Sequence, residues 1–116
     1  MSLLIFNIIY FSPFTGTPEI LKMSLTTCSI EGGEELWIIG KNFLKDTEVV
    51  FREDRENSIR PVWMEKVKPI KEFFSNNHLI VNVPPYRDPN SLDAIVVNIN
   101  FSLKGPDHVH VNCYQK

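Results

Sequence analysis

A chain of 116 residues, 43% hydrophobic and 22% charged, fits one domain with a sizeable core and lies outside the composition of disordered sequences. Its formal net charge of -2 excludes the strongly basic surface of an autonomous nucleic-acid binder but leaves room for a few phosphate contacts. Two cysteines, Cys28 and Cys113, are too few for a disulfide-dense secreted scaffold, and free thiols are expected ahead of a single bridge.

Leu3 to Phe11 is an apolar run broken only by Asn7. It is shorter than the ~20 residues that span a bilayer. No Lys or Arg precedes it and no small-x-small cleavage site follows, so it does not read as a signal peptide. Residues 1–17 are expected to be a leader or linker, an extended segment packing on the domain. Ser12-Pro13-Phe14-Thr15-Gly16-Thr17-Pro18 is a breaker cluster, which places the start of the domain near Pro18 and its extent at 18–116.

Glu19 to Ile30 reads as one long or bulged strand. Gly32-Gly33 gives a tight reversal, because glycine takes positive φ without steric cost. Leu36-Trp37-Ile38-Ile39 is too short for a helix, is rich in β-branched and aromatic residues and is stopped by Gly40, so it reads as a strand. Its side chains alternate. Leu36 and Ile38 face one way, Trp37 and Ile39 the other. A sandwich strand needs only one apolar face. The second face calls for a separate cover, and that surplus is the chief functional signal in the chain.

Asn42 to Thr47 reads as a loop and Glu48 to Arg52 as a short strand. Glu53 to Arg60 is charged, without apolar period, and is expected to be a solvated loop. Pro61 to Val67 forms a strand around Trp63, and Lys68 to Asn77 a polar connection with room for one helical turn at Phe73-Phe74. In the next strand Leu79, Val81 and Val83 share one side, Ile80 and Asn82 the other, and Pro84-Pro85 ends the ladder. Tyr86 to Leu92 is turn-rich. Ala94 to Phe101 is the clearest strand, with Ile95, Val97, Ile99 and Phe101 on one face. A turn at Lys104-Gly105-Pro106-Asp107 leads to a last strand over His108 to Tyr114. About seven short, turn-separated strands without internal repeats are the pattern of an all-β, immunoglobulin-like sandwich.

Little in the chain looks like chemistry. His108 and His110 share a strand face at a spacing zinc can use, but no third ligand is placed beside them, and two edge-strand histidines are the plainer reading. Nucleophile-elbow, H-E-x-x-H and phosphate-loop patterns are missing. Asp88 and Asp93 share a loop without the marks of an acid–base pair. No enzymatic activity, metal or cofactor is expected. Asn100-Phe101-Ser102 is a glycosylation sequon, which matters only in a secreted protein.

Three blocks carry a family likeness: Pro18-Glu19-Ile20-Leu21-Lys22, the stretch from Cys28 through Gly32-Gly33-Glu34-Glu35 to Phe43, and His78 to Asp88 with its Pro84-Pro85-Tyr86 turn. Together they resemble the C-terminal half of the Rel homology region, an immunoglobulin-like module of the IPT/TIG type, and within it the nuclear factor of activated T cells branch. The likeness covers about residues 18–105. It implies the dimerisation module of a DNA-binding transcription factor, working in the nucleus with cytoplasmic shuttling, as a homodimer or a Rel-family heterodimer and without a membrane. The sequence-reading domain of that family is absent from this chain, so sequence-specific DNA reading by it alone is not expected.

The resemblance also implies residues. Aligned on the Gly-Gly-Glu-Glu block and the proline turn, the family's symmetric dimer contact falls on Lys22, Ser24, Trp37, Ile39, His78 and Ile80. DNA-backbone contacts fall on Lys41, Asn42 and Lys45 and on Ser75, Asn76 and Asn77; lysines neutralise phosphates and amides hydrogen-bond to them. The competing expectation is that the N-terminal apolar segment folds over the Trp37 face. The sequence departs from the family at the leader, in the Arg52 to Val62 loop, and at Asn112-Cys113-Tyr114, where a Phe-x-Tyr strand is usual. The alternative is an extracellular TIG module of a plexin-like surface receptor, which an oxidised Cys28–Cys113 pair and a glycan on Asn100 would support. A third reading, an accessory domain of a carbohydrate enzyme, would need an aromatic platform larger than Trp37 and Trp63.

Overall fold

Alternation along the strands decides what faces inward. The structure, a computed structural model, describes residues 3–8 and 18–103. Its strands are β1 (Leu3–Ile8), β2 (Glu19–Met23), β3 (Thr27–Ser29), β4 (Glu35–Lys41), β5 (Thr47–Glu53), β6 (Trp63–Val67), β7 (His78–Asn82) and β8 (Ala94–Leu103), with one 3-10 turn at Lys71–Phe73. They form a five-stranded sheet in the order β3-β1-β8-β5-β6 and a three-stranded sheet in the order β2-β4-β7. This is the all-β sandwich that the strand spacing implies, and the helical turn expected near Phe73 is present.

Between the sheets, Leu36, Ile38, Leu79 and Val81 from one layer and Val49, Phe51, Val97 and Ile99 from the other are buried in one cluster. Each such side chain contributes about 1.5–3 kcal/mol when taken out of water. Aromatic rings close the ends: Phe43 packs on Phe101 with centroids 5.1 Å apart, and Trp63 meets Tyr86 edge-on at 5.2 Å.

Two sequence expectations need correction. Glu19 to Ile30 is not one strand. β2 pairs with β4, whereas β3 pairs with β1 in the other sheet. Ser24 marks the change: its N–H donates to the Trp37 carbonyl and its Oγ accepts from the Trp37 N–H, both at 2.9 Å. Beyond Ser24 the chain leaves β4 and crosses to the opposite layer, where Cys28 and Ile30 enter the core.

The described part of the N-terminal run, Leu3–Ile8, does not lie over the Trp37 face either. β1 is an interior strand of the five-stranded sheet, antiparallel to β3 and parallel to β8 from Leu3↔Ala94 to Ile8↔Ile99. Leu4 and Phe6 reach the core, and Phe6 packs edge-on against Phe51 at 5.9 Å. Asn7, which interrupts the apolar run, faces away from the core. Its Nδ2 donates to Asn98 Oδ1 at 3.0 Å, Asn98 donates on to Asp54 at 2.8 Å, and Arg52 closes the chain on Asp54. This polar row resists a one-residue slip, which would turn Asn7 inward. The expected last strand, His108 to Tyr114, lies outside the described residues, as do His108, His110 and Cys113.

Two glycines separate steric crowding from backbone strain. A Cβ on Gly40 would stand 1.9 Å from the Glu19 carbonyl oxygen and 2.7 Å from the Phe43 ring. Gly33 has φ +87 but open space around it. Gly33→Ala should therefore cost about 1 kcal/mol, from the left-handed backbone alone. Gly40→Ala should cost about 3 kcal/mol or more, since β2 and β4 must part. Urea midpoints of the two variants check this, and equal losses would contradict the β2–β4 approach.

A second check concerns Tyr86, whose hydroxyl donates to Glu53 Oε1 at 2.5 Å, with Arg87 over the ring. Burial, then the hydrogen bond and charge of Glu53, push its phenol from 10.0 up to about 12. The folded state then holds the proton after the unfolded chain has released it. Tyr86 stabilises fully below pH 10 and loses that contribution as pH rises to about 12. The stability gap between the wild type and Tyr86→Phe should narrow over this window.

Candidate interaction surfaces

The outer face of the three-stranded sheet follows from strand register. Lys22 pairs with Ile39 and Ile39 with His78, which sets one row across β2, β4 and β7. Trp37 pairs with Ile80 and holds Ser24 through two hydrogen bonds, which sets the next row. The six residues expected at a dimer contact thus share one face in two rows. Trp37 is 54% exposed and Ile39 47%. An exposed tryptophan beside an exposed isoleucine makes this the apolar part of the sheet's outer face.

Ile80 contributes less than its position suggests. It is only 6% exposed, and the Ile70 N–H donates to its carbonyl at 2.8 Å, which draws the segment carrying the 3-10 turn alongside β7. His78 is tied to the same segment through Nδ1 and the Phe73 carbonyl at 3.0 Å. The exposed apolar part is therefore Trp37 and Ile39, flanked by Lys22, Ser24 and His78. Sequence reasoning missed two neighbours. Phe73 is half-exposed beside His78, within a stretch read as a polar connection. Leu21 is half-exposed where the β2–β4 register shifts between Ile20 and Lys22; two successive apolar residues in an alternating strand were the available signal.

The loop after β4 and the loop before β7 meet at one end of this sheet. The Gly40 N–H donates to the Asn77 carbonyl at 2.8 Å and the Phe43 N–H to the Asn76 carbonyl at 3.0 Å. The Asn77 amide returns a bond to the Gly40 carbonyl at 3.4 Å. Ser75 Oγ accepts from the N–H groups of Asn77 and His78, both at 3.1 Å. Asn42 takes φ 63, a left-handed conformation that asparagine tolerates. The structure thus brings the turn that carries Ser75, Asn76 and Asn77 against the 40–43 stretch that carries Lys41 and Asn42, and Lys45 follows in the same loop. Asn76 and Asn77 hold the loops together and Ser75 shapes the turn before β7, while the Lys41, Lys45 and Asn76 side chains are exposed.

Features that would favour the other readings point away from them. Cys28 is a buried free thiol that donates to Glu34 at 3.3 Å and to the Ser29 carbonyl at 3.4 Å. Burial foremost, with Glu34, pushes it from 9.0 up to about 12. Asn100 is 2% exposed within β8, where no glycan fits. Trp63 is 7% exposed and faces the core, so it forms no platform with Trp37. Asp88 holds a turn by accepting from the Asn90 N–H at 3.0 Å.

Residues 19–112 match the family model of the Rel homology dimerisation domain. The chain belongs to that family. It is 49% identical over 86 residues to the human nuclear factor of activated T-cells 5, a match covering 72% of this chain and 5% of that protein. It is 36% identical over 81 residues to the human nuclear factor of activated T-cells, cytoplasmic 3, covering 70% of this chain and 7% of that protein. The chain thus spans a small fraction of these relatives. The solution structure of the TIG domain from human nuclear factor of activated T-cells, cytoplasmic 4 superposes with a TM-score of 0.69 at 29% identity, covering 83% of each chain. Members of this family are transcription-factor domains rather than enzymes.

The thiol gives a direct check. With Cys113 replaced by serine, iodoacetamide at about pH 8 should leave Cys28 unmodified in the native protein and label it only after unfolding. Native-state labelling at the rate of a free thiol would contradict the burial.

Proposed function

We propose that this Rel homology dimerisation domain pairs, through the Trp37–Ile39 face, with a second copy or a related Rel-type domain. The observation that carries the reading is the half-exposed Trp37 on the outer face of the central strand of its sheet. With a second copy the contact is isologous, each face meeting itself across a two-fold axis. Tryptophan is enriched among the residues that dominate interface energies, because a large rigid ring is desolvated at little entropic cost. Lys22, Ser24 and His78 form a polar rim around the apolar centre.

In the same reading, Lys41, Asn42, Lys45, Ser75, Asn76 and Asn77 meet the DNA backbone. They fix position without reading sequence, and base specificity comes from another domain. The net charge of -2 fits this division of labour. The likeness to nuclear factor of activated T-cells 5 favours a factor of the tonicity-responsive enhancer-binding kind, working in the nucleus and shuttling through the cytoplasm.

Sedimentation equilibrium over a concentration series tests the pairing. The wild type should be dimeric, and Trp37→Ala should weaken association by about 2 kcal/mol or more, roughly thirtyfold in the dissociation constant. A wild type that stays monomeric at high micromolar concentration would sink the homodimer.

A further inference from the structure

We infer that the phosphate-contacting surface continues beyond the two stitched loops into the cavity between the start of β5 and the segment that carries the 3-10 turn. The inference rests on the loops having been read correctly as a DNA-backbone surface. The cavity measures about 570 Å³, and Lys45, Lys68 and Lys71 line it together with Asp46, Glu48 and Phe74. Its ligand is the phosphodiester backbone of duplex DNA.

Three observations support this assignment. The first is convergence: two chain segments far apart in sequence bring three lysines around one concave surface. The second is sign. Lys45, Lys68, Lys71 and Asp46 are exposed, whereas Glu48 is buried. The lining thus carries three cations against two carboxylates, with the cations at the exposed side, in a chain whose overall charge is negative. Nearby positive charge neutralises phosphates and releases their counterions. The third is continuity. The cavity adjoins the proposed DNA surface on both strands of the chain: Lys45 belongs to both, Asp46 to Glu48 follow directly from it, and Phe74 directly precedes Ser75. Lys45 thus stands where the loop surface and the cavity meet.

Salt-dependent binding separates this inference from the reading beneath it. Binding of a short labelled DNA duplex to the full chain would be followed by fluorescence anisotropy from low to physiological salt. The proteins compared are the wild type, Lys41→Gln, the K68Q/K71Q double variant and the charge-keeping K68R/K71R, each checked for an unchanged urea midpoint. The slope of log affinity against log salt should shrink by about 1 to 2 in K68Q/K71Q and return toward the wild type in K68R/K71R. If Lys41→Gln shrinks the slope and K68Q/K71Q does not, the cavity assignment is overturned and the loop surface stands. If the wild type shows no salt-dependent binding, both fall.

Discussion

Strand β4 has to satisfy two faces at once, and much of the domain is arranged around that demand. Its inner side chains, Leu36 and Ile38, are fully buried against the opposite sheet. Its outer ones, Trp37 and Ile39, stay about half in water. Between these sets the backbone is held on both edges, by β2 and by β7. Gly40 lets β2 come close enough for its Glu19 carbonyl to occupy the space of a side chain. A strand clamped this way cannot rotate Trp37 inward without losing Leu36 and Ile38 from the core. The exposed tryptophan is thus forced by the inner packing: among the described residues nothing takes it fully out of water.

Sequence reasoning recovered most of this because it depends on local alternation. Leu36 to Ile39, Leu79 to Val83 and Ala94 to Phe101 each declare their inner faces through period two, and the structure buries those faces. What alternation cannot declare is which sheet a strand joins. Glu19 to Ile30 reads as one strand because Ser24, Leu25 and Thr26 carry no strong breaker. The pairings show the split: Ser24 makes the last bonds to β4, and β3 pairs with β1 in the other sheet. The burial of Ile80 was hidden for a similar reason. The segment around Ile70 runs alongside it, held by a backbone hydrogen bond across the connection.

The N-terminal run teaches the converse. Its apolar length suggested an attached segment, and its composition alone could not distinguish a surface cover from an interior strand. Asn7 carried the missing information. An asparagine within an apolar run costs free energy unless its amide has a partner. Asn98, two residues along β8 from the exposed Val96, supplies that partner on the side facing away from the core. The pattern of Leu4 and Phe6 inward with Asn7 outward is that of a sheet strand, and Leu3–Ile8 lies in the sheet opposite Trp37.

The two proposed surfaces are joined by a single element. Trp37 and Lys41 lie four residues apart on β4, about 13 Å along an extended strand. The strand is hydrogen-bonded on both edges, and its exit loop is bonded to the turn before β7. Little freedom remains between the apolar face and the lysines. In a two-fold dimer built on Trp37, this rigidity sets where both copies of Lys41 stand relative to the axis. Two backbone-binding ends held at a defined separation act on one duplex as a linked pair, so the second contact forms at high effective concentration. Under the proposed function, a module of modest net charge would gain grip on DNA by pairing, so the proposed apolar face and basic end would belong to one mechanism.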